Sequence, residues 1–239
     1  MKVDRWFFSA AGASFLIIML VGFRWFITTG QGDEGRPIDP AIFLLDLVHG
    51  LAIAAWFLLF FAQSLLIGVR NRRLHFKLGW ASVAVGLTIF ITGSLVAIHS
   101  VQITPPQFDF FGMPYSRFLL VMLTEIWLFT AFVATGILAR KRPRIHRPAM
   151  VMASLCLLGG ATARMSFLHP LFGTTGEFAL FGPVFCIGAI LLLLRYRLNR
   201  QFDRWFAAEY AAFVTIISVV EKLALTDAWA STAASILKL

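Results

Sequence analysis

The chain has 239 residues, of which 59% are apolar and only 14% are charged. A soluble domain carries roughly a quarter charged residues, so this composition excludes an ordinary soluble protein and indicates a protein embedded in a membrane. The formal charge of +9 would be typical of a nucleic-acid-binding protein if the chain were soluble. In a membrane protein, basic residues first set the orientation.

Seven apolar runs are long enough to cross a bilayer, which takes about 20 residues in a helix. The first run begins with basic residues, as a signal peptide does, but no cleavage site follows it, so we expect a retained helix. The sequence therefore predicts an all-α fold, a single polytopic transmembrane domain over residues 1–239 with seven transmembrane helices. In chain order the predicted spans are 6–28, 41–68, 78–98, 117–139, 149–167, 178–194 and 205–225.

Basic residues occur in alternate connections between the predicted spans. By the positive-inside rule these connections are cytoplasmic, so the N-terminus is inside and the C-terminus is outside. This pattern predicts a multi-pass protein of the bacterial inner membrane with no nucleic-acid partner. The cytoplasmic set holds 15 of the 21 Lys and Arg residues: Lys2, Arg5, Arg70, Arg72, Arg73, Lys77, Arg140, Lys141, Arg142, Arg144, Arg147, Arg195, Arg197, Arg200 and Arg204.

The sequence echoes itself after a shift of 71 residues. The shift superimposes residues 73–75 (Arg-Leu-His) on residues 144–146 (Arg-Ile-His) and Trp56 on Trp127. Each Arg-aliphatic-His element follows an inward-running span and opens an outward-running one. The pattern is consistent with duplicated hairpins over 41–100 and 117–170, in parallel orientation about an axis along the membrane normal.

A set of polar and aromatic residues runs through the second to fifth predicted spans: His49, Trp56, Gln63, residues 73–80 (Arg-Leu-His-Phe-Lys-Leu-Gly-Trp), residues 144–147 (Arg-Ile-His-Arg) and Arg164. In these residues the chain resembles a broad group of uncharacterised bacterial multi-span membrane proteins. Their repeated element reads Leu-His-Arg-Arg-Leu-Gly at a cytoplasmic helix start. The chain departs from it in Phe76-Lys77, which replace the Arg pair, and in Pro148 after the second element. The resemblance implies a helical membrane protein with this topology and no particular reaction.

Ionisable side chains are concentrated in the predicted outer half of the membrane, although each costs something like 2.5 to 3.5 kcal/mol inside a span. The inner half holds Gln63 and hydroxyl groups but hardly a charge. Counted at about 1.5 Å per residue, His49 and Glu125 both lie roughly 12 Å below the outer surface. These side chains predict a polar pocket that opens outward. The set comprises Arg24, Asp46, His49, His99, Glu125, Arg164, His169, Glu177, Glu221 and Lys222.

Histidine ligates both haem and metal ions, so haem b or a divalent metal ion is a candidate cofactor of this pocket. His49 and Glu125 match in depth and are the candidate metal ligands, although as a pair they form an incomplete zinc site. His99 and His169 are further candidate ligands. Arg24 and Arg164 are candidate partners of haem propionates or of another anionic group. A quinone, a lipid or a transported molecule also fits such a pocket, and an internal ion-pair network is the structural alternative.

A second group of residues lies at the predicted cytoplasmic helix starts. Arg73, His75, Arg144 and His146 are candidate ligands of lipid headgroups, because backbone N–H groups and positive charge attract phosphate there. A cytoplasmic metal site using both histidines would need a third ligand, for which Asp203 is the best candidate in the sequence. Membrane lipids, and other membrane subunits, are thus the expected partners.

These patterns lead to one main functional hypothesis and two alternatives. The main hypothesis is an inner-membrane protein that binds a cofactor, a metal or a quinone in a redox-linked or accessory role. The first alternative is a non-catalytic structural or assembly subunit of a larger complex, whose buried charges only stabilise the fold. Transport of a small molecule is weaker, because no predicted span shows an evident Gly or Pro break at mid-depth. The sequence does not decide whether the protein is an enzyme.

Overall fold

The computed structural model describes residues 2–33, 36–105 and 107–237, and the fold over these ranges is almost entirely α-helical. Two short antiparallel hairpins, β1–β2 and β3–β4, interrupt the helices. The helices are α1 Lys2–Gly22, α2 Arg24–Thr29, α3 Phe43–Gly68, α4 Arg72–Ile103, α5 Tyr115–Leu138, α6 Pro143–Cys156, α7 Gly159–Thr162, α8 His169–Phe172, α9 Gly176–Asn199, α10 Arg204–Ala224 and α11 Asp227–Leu237, and the strands are β1 Gln31–Asp33, β2 Arg36–Pro37, β3 Asp109–Phe110 and β4 Met113–Pro114.

Four helices, α3, α4, α5 and α9, are long and apolar enough to cross a membrane, and a fifth span results if the bent segment from α6 to α8 is counted as one. The prediction of an all-α chain with membrane-spanning helices is therefore confirmed. The described residues contain four or five candidate spans, whereas the sequence predicts seven. The apolar part of α1 covers only Trp6–Gly22. Helix α10 has 21 residues but contains Arg204, Glu209, Glu221 and Lys222.

Short connections join the long helices into antiparallel pairs and so define two ends of the bundle. The end with the α3–α4, α5–α6 and α9–α10 connections is called the basic end here, and the end with both β-hairpins is called the hairpin end. Side-chain caps and a proline define the first turns of the helices that begin at the basic end. The Asn71 side chain accepts a hydrogen bond from the Leu74 N–H (3.2 Å), and Asp203 does the same for Phe206 (3.2 Å). Pro143 opens α6, where its missing N–H costs nothing.

The expectation of a single helix over 149–167 is wrong, because the fifth predicted span is broken. Helix α6 ends at Cys156, the short helix α7 follows, and the segment Ser166–Phe172 is bent by 95° from the preceding part. Two glycines, Gly159 and Gly160, follow the first interruption, and Pro170 lies in the first turn of α8. Glycine weakens a helix, and proline lacks the N–H that would continue one.

The buried core combines aliphatic and aromatic side chains, and its largest fully buried rings come from α1, α3, α5, α9 and α10. Trp56 is 1% exposed, its ring meets the Phe129 ring edge-on with centroids 4.8 Å apart, and its indole N–H donates to the Ser154 hydroxyl (3.2 Å). This contact fixes α3 against α5 and α6. Trp127, which the internal echo superimposes on Trp56, is 61% exposed.

Candidate functional site

A cavity of about 540 Å³ lies at the hairpin end, between the β3–β4 hairpin and helices α5, α9 and α10. Its walls are mainly apolar, and polar groups enter them from the start of α9 and from the end of α10. We call it the hairpin-end cavity. It is lined by Phe110, Phe111, Gly112, Met113, Phe118, Thr175, Gly176, Glu177, Leu180, Glu221, Lys222 and Leu225.

The β3–β4 hairpin forms the aromatic wall of this cavity. Its tight turn contains Phe111 and Gly112, both with positive φ, at 53° and 81°. The Phe111 carbonyl oxygen accepts a hydrogen bond from the Gly176 N–H (2.7 Å), which ties the hairpin to the start of α9. The Phe110 ring packs on the Phe118 ring of α5, with centroids 4.8 Å apart. The hairpin is thus fixed at both sides of the cavity.

Three charged residues lie on the polar side of the cavity. Glu221 is only 7% exposed, and its carboxylate has no hydrogen-bond or ion-pair partner within the described ranges. Glu177 is half-buried and accepts a hydrogen bond from the Ser218 hydroxyl. Lys222 is exposed at the same wall. All three belong to the polar residues predicted for the outer half, but none of them is among the predicted ligands of the pocket.

Glu125 lies behind this cavity, at the break in the fifth span. Its carboxylate is packed against Gly159 of α7 so closely that a β-carbon on this glycine would overlap Oε1. The same carboxylate is close enough to Glu221 and to buried Cys156 for electrostatic interaction with both. No ion pair to Glu125 occurs in the part of the chain that the structure describes. Three carboxylates, Glu177, Glu221 and Glu125, thus lead from the cavity toward the helix break.

His49 faces a different part of the bundle from Glu125. Its Nδ1 lies 2.9 Å from the Thr92 hydroxyl of α4, which itself donates to the Thr88 carbonyl oxygen (2.7 Å). Because this hydroxyl proton is already used, the His49 Nδ1–H is the donor, and its Nε2 carries the lone pair. The imidazole packs on Gly93, where a β-carbon would lie 2.8 Å from its Cε1 atom.

The predicted His49–Glu125 pair is therefore not formed as a contact. The side chain of Ile126 shares the Gly93 site with His49, and the preceding residue, Glu125, points instead to α7. Successive side chains on a helix are about 100° apart, so this divergence follows from helix geometry. Over the described residues, no group of three or more His, Cys, Asp or Glu side chains is arranged to hold a metal ion.

Arg164 occupies the bend of the fifth span and binds backbone oxygen atoms. Its Nη1 donates to the Gly160 carbonyl (2.6 Å) and its Nε to the Gly32 carbonyl in β1 (3.1 Å). The guanidinium also lies over the Phe23 ring, 4.8 Å from its centroid, and interacts electrostatically with Asp46. These contacts connect the helix break to the end of the first span.

The remaining candidate ligands of the predicted pocket lie apart from one another. Arg24 donates to the carbonyl of Val21 (3.3 Å) and lies over the Trp25 ring. His99 is exposed on α4. His169 is half-buried, and its ring meets the ring of cavity residue Phe111 edge-on, with centroids 6.4 Å apart. Of these three residues, His169 is the one that contacts the wall of the hairpin-end cavity.

At the basic end, the histidines of the two repeated Arg-aliphatic-His elements lie next to each other. The ring centroids of His75 and His146 are 6.4 Å apart, and both rings are half-buried. Arg73 and Arg144 are exposed beside them. Asp203 is the candidate third metal ligand from the sequence. It instead forms an ion pair with Arg195, whose Nε donates to Asp203 Oδ2 (2.5 Å).

Glu209 on α10 is a buried acid that is absent from the predicted set of polar residues. Its Oε2 atom is buried without a hydrogen-bond partner among the described residues, and its carboxylate interacts electrostatically with Asp203 near the basic end. The expectation that the inner half is nearly free of charge is therefore incomplete. The signal was present in the sequence, because Glu209 lies inside the predicted span 205–225.

Comparison with protein-family models, with curated proteins and with solved structures gave no match to this chain.

Proposed function

We propose that the protein is a bacterial inner-membrane protein that binds a ring-bearing molecule of the quinone class in the hairpin-end cavity, in a redox-linked or accessory role. The observation that carries the proposal is Glu221. It is 7% exposed, lies on the wall of an aromatic-lined cavity and has no partner in the described part of the chain.

The Glu221 carboxylate lines a mainly apolar cavity and has no protein donor in the described part of the chain, so a ligand that donates to it gains a charge-assisted hydrogen bond. The hydroxyl groups of a quinol are such donors. Its ring would pack against the side chains of Phe110 and Phe118, because aromatic surfaces favour tilted and edge-on contacts. The cavity volume of about 540 Å³ falls in the range of roughly 300–1,000 Å³ typical of small-molecule sites.

The other charges support the same ligand chemistry. Glu177 lies at the cavity wall, and Glu125 interacts electrostatically with Glu221. Among the lining residues Lys222 alone carries a positive charge, so the wall offers little to an anionic ligand, whereas a neutral molecule with hydroxyl donors fits. For this reason we favour a quinol-class ligand over haem or a metal ion at this end of the bundle.

The proposed topology has seven spans, with the N-terminus in the cytoplasm and the C-terminus outside. The bent segment from α6 to α8 counts as the fifth candidate, and two spans are added to these five: α1 continued by α2, and α10. A helix of 21 residues such as α10 extends about 31 Å, which is sufficient for the hydrocarbon core of a bilayer. This orientation places the hairpin-end cavity at the outer surface.

At the basic end, we propose that Arg73 and Arg144 bind the headgroups of anionic lipids. Both side chains are exposed, and they follow the starts of α4 and α6. Each basic residue near an anionic membrane surface contributes about 1 kcal/mol. His75 and His146 contribute less to this contact, because their rings face backbone carbonyl groups.

The test uses the purified full-length protein in detergent and a short-chain ubiquinol analogue, with binding measured by equilibrium dialysis. We expect saturable binding that weakens about tenfold in Glu221→Ala, since one charge-assisted hydrogen bond is lost. Glu209→Gln is the matched control, because it changes a buried carboxylate at the opposite end of the same helix. Absence of saturable binding, or equal loss in both variants, would contradict the proposal and favour the non-catalytic subunit.

Transport of a small molecule is the second candidate, and the 95° bend of the fifth span favours it. Irregular backbone at membrane depth occurs in proteins mainly where it is buried or lines a cavity. Glu125 and Arg164 both contact the backbone around this bend. Uptake of the same ubiquinol analogue into proteoliposomes, compared with binding alone, separates a carrier from a binding protein.

A further inference from the structure

A quinone and its quinol have nearly the same shape but differ in the hydrogen bonds that their ring oxygens form. The carbonyl oxygens of a quinone only accept, whereas the hydroxyl groups of a quinol donate as well as accept. A cavity group that needs a donor from its ligand therefore separates the two forms. The inference below rests on the proposed binding of a quinone-class molecule in the hairpin-end cavity and concerns which form is bound.

Most of the cavity lining treats the two forms alike. The apolar side chains contact the ring in either form. Lys222 carries an ammonium group, which only donates and can meet an oxygen atom of either form, and the Thr175 hydroxyl can both donate and accept. The Gly176 N–H is already bound to the Phe111 carbonyl (2.7 Å). Selectivity between the two forms must therefore come from the acidic residues of the wall.

The two acids of the wall differ in what they offer a ligand. An ionised carboxylate has acceptors only. Glu177 is half-buried, and the Ser218 hydroxyl already donates to it. Glu221 is 7% exposed and has no hydrogen-bond donor or ion-pair partner within the described ranges, although it lines the same cavity. Glu221 is thus the buried acceptor that is left to the ligand.

We propose that Glu221 makes the hairpin-end cavity selective for the reduced form, so that it binds the quinol and rejects the quinone. A quinol hydroxyl donates to the carboxylate in a charge-assisted hydrogen bond. A quinone instead places a carbonyl oxygen against the carboxylate, and neither group can donate. Sites that bind a ligand hydroxyl reject an analogue without it, because the buried polar group is then left unpaired.

Such selectivity changes the redox potential of the bound molecule. Conversion of a quinone to a quinol takes up two electrons and two protons. Tighter binding of the quinol raises the midpoint potential of the bound couple, by about 30 mV for each tenfold difference between the two dissociation constants. The bound quinol is thus harder to oxidise than the free quinol.

The experiment compares a short-chain ubiquinol analogue with the matching ubiquinone on the full-length protein in detergent. Equilibrium dialysis is carried out under argon, in a mildly alkaline buffer in which carboxyl groups are ionised. We expect the quinol to bind at least about tenfold more tightly than the quinone, since one hydrogen bond to a charged group separates them. A redox titration of the bound couple is the second readout, with a midpoint potential at least about 30 mV above that of the free couple.

Three variants assign the preference to the Glu221 carboxylate. Glu221→Gln introduces an amide that can donate to a quinone carbonyl and accept from a quinol hydroxyl, so the preference should fall below about threefold. Glu221→Asp keeps a carboxylate and should keep the preference, although both forms bind more weakly. Glu209→Gln is the matched control, because it changes an acid at the opposite end of α10 and should show the wild-type ratio of dissociation constants.

The possible results separate this inference from the proposed function. If neither analogue binds to the wild-type protein, both are contradicted. If the two analogues bind equally, or the quinone binds more tightly, the cavity still takes the quinone class but its selectivity for the reduced form is overturned. A wild-type ratio in Glu221→Gln would overturn the role of Glu221. The ratio measured for the wild-type protein needs no variant, so it decides the selectivity even where a variant fails to fold.

Discussion

The Glu125 carboxylate is packed directly against Gly159, the first residue of α7. The contact joins a buried acid on α5 to the break in the fifth span. Glycine permits the approach because it has no β-carbon, and the neighbouring Phe181 ring closes the site at 3.4 Å from the position that such an atom would occupy. The break and the acid are thus parts of one arrangement.

This contact predicts the effect of a methyl group at the break. Gly159→Ala should lower stability by about 1–3 kcal/mol, because overpacking forces side chains or backbone to move. Removing the carboxylate in Glu125→Ala should relieve part of that cost, so the two changes should be non-additive. The measurement is the melting temperature of the detergent-solubilised protein for both single variants and the double variant.

Gly160→Ala is the control for this cycle. A β-carbon at Gly160 would meet no atom closer than 3.6 Å, at Arg164 Nη1. It brings the same gain in helix propensity as Gly159→Ala but no overlap with the acid. Equal destabilisation by both alanine variants, or strict additivity with Glu125→Ala, would contradict a specific contact between Glu125 and Gly159.

The sequence predicted the all-α membrane class, and it predicted the bounds of α3, α5 and α10 to within two residues, because hydropathy and charge report directly on burial in lipid. It did not predict the broken span. An apolar run of residues looks the same whether its helix is straight or bent, and Arg164 satisfies the bend through the Gly160 and Gly32 carbonyls. Those bonds depend on tertiary structure that the local sequence does not encode.

The candidate site shows the same limit. Counting residues along a span gives only the depth of a residue in the membrane. By this single coordinate His49 and Glu125 lie at the same level. The direction of each side chain around its helix depends on packing, which turns His49 toward Thr92 of α4 and Glu125 toward α7. The cavity was not predictable for a related reason. It requires the β3–β4 hairpin to fold against α9, and this contact joins Phe111 to Gly176.

The second prediction concerns Arg117, which attaches α11 to α5. Its guanidinium donates to the Leu225 carbonyl at the end of α10 and to Asp227 (3.1 Å), and its own carbonyl accepts from the Trp229 indole N–H (3.0 Å). The Asp227 side chain is 99% exposed, and such ion pairs contribute little. We therefore expect Arg117→Leu to release α11 and Asp227→Asn to have almost no effect.

Limited proteolysis of the detergent-solubilised protein measures this difference. Cleavage between α10 and α11 should become faster in Arg117→Leu, because the last carbonyl groups of α10 lose a charged donor worth roughly 1.5–3 kcal/mol. Asp227→Asn should be cleaved at the wild-type rate. If the aspartate variant is cleaved as fast as the arginine variant, the ion pair, and not the carbonyl contact, holds α11.

The third prediction concerns lipid binding by Arg73 and Arg144, the exposed arginines of the basic end. The double variant Arg73→Gln, Arg144→Gln should retain less phosphatidylglycerol than the wild type, because each charge contributes about 1 kcal/mol to binding at an anionic surface. Native mass spectrometry from mixed detergent and lipid micelles counts the retained lipids. Arg24→Gln serves as the control, since this arginine lies near the hairpin end. Equal retention in all three proteins would contradict a headgroup role.

The proposed orientation predicts which end of the bundle a reagent can reach from outside the cell. Single cysteines are placed at Asp109, exposed in β3 of the hairpin end, and at Asn71, exposed between α3 and α4. Both are introduced into a chain whose Cys156 and Cys186 are replaced by alanine. In intact spheroplasts, a membrane-impermeant maleimide should label Asp109→Cys and leave Asn71→Cys unlabelled, because 15 of 21 basic residues lie in the connections that the positive-inside rule assigns to the cytoplasm. After permeabilisation both should react. The reverse pattern would place the hairpin-end cavity in the cytoplasm. Quinol binding would then occur from the inner leaflet.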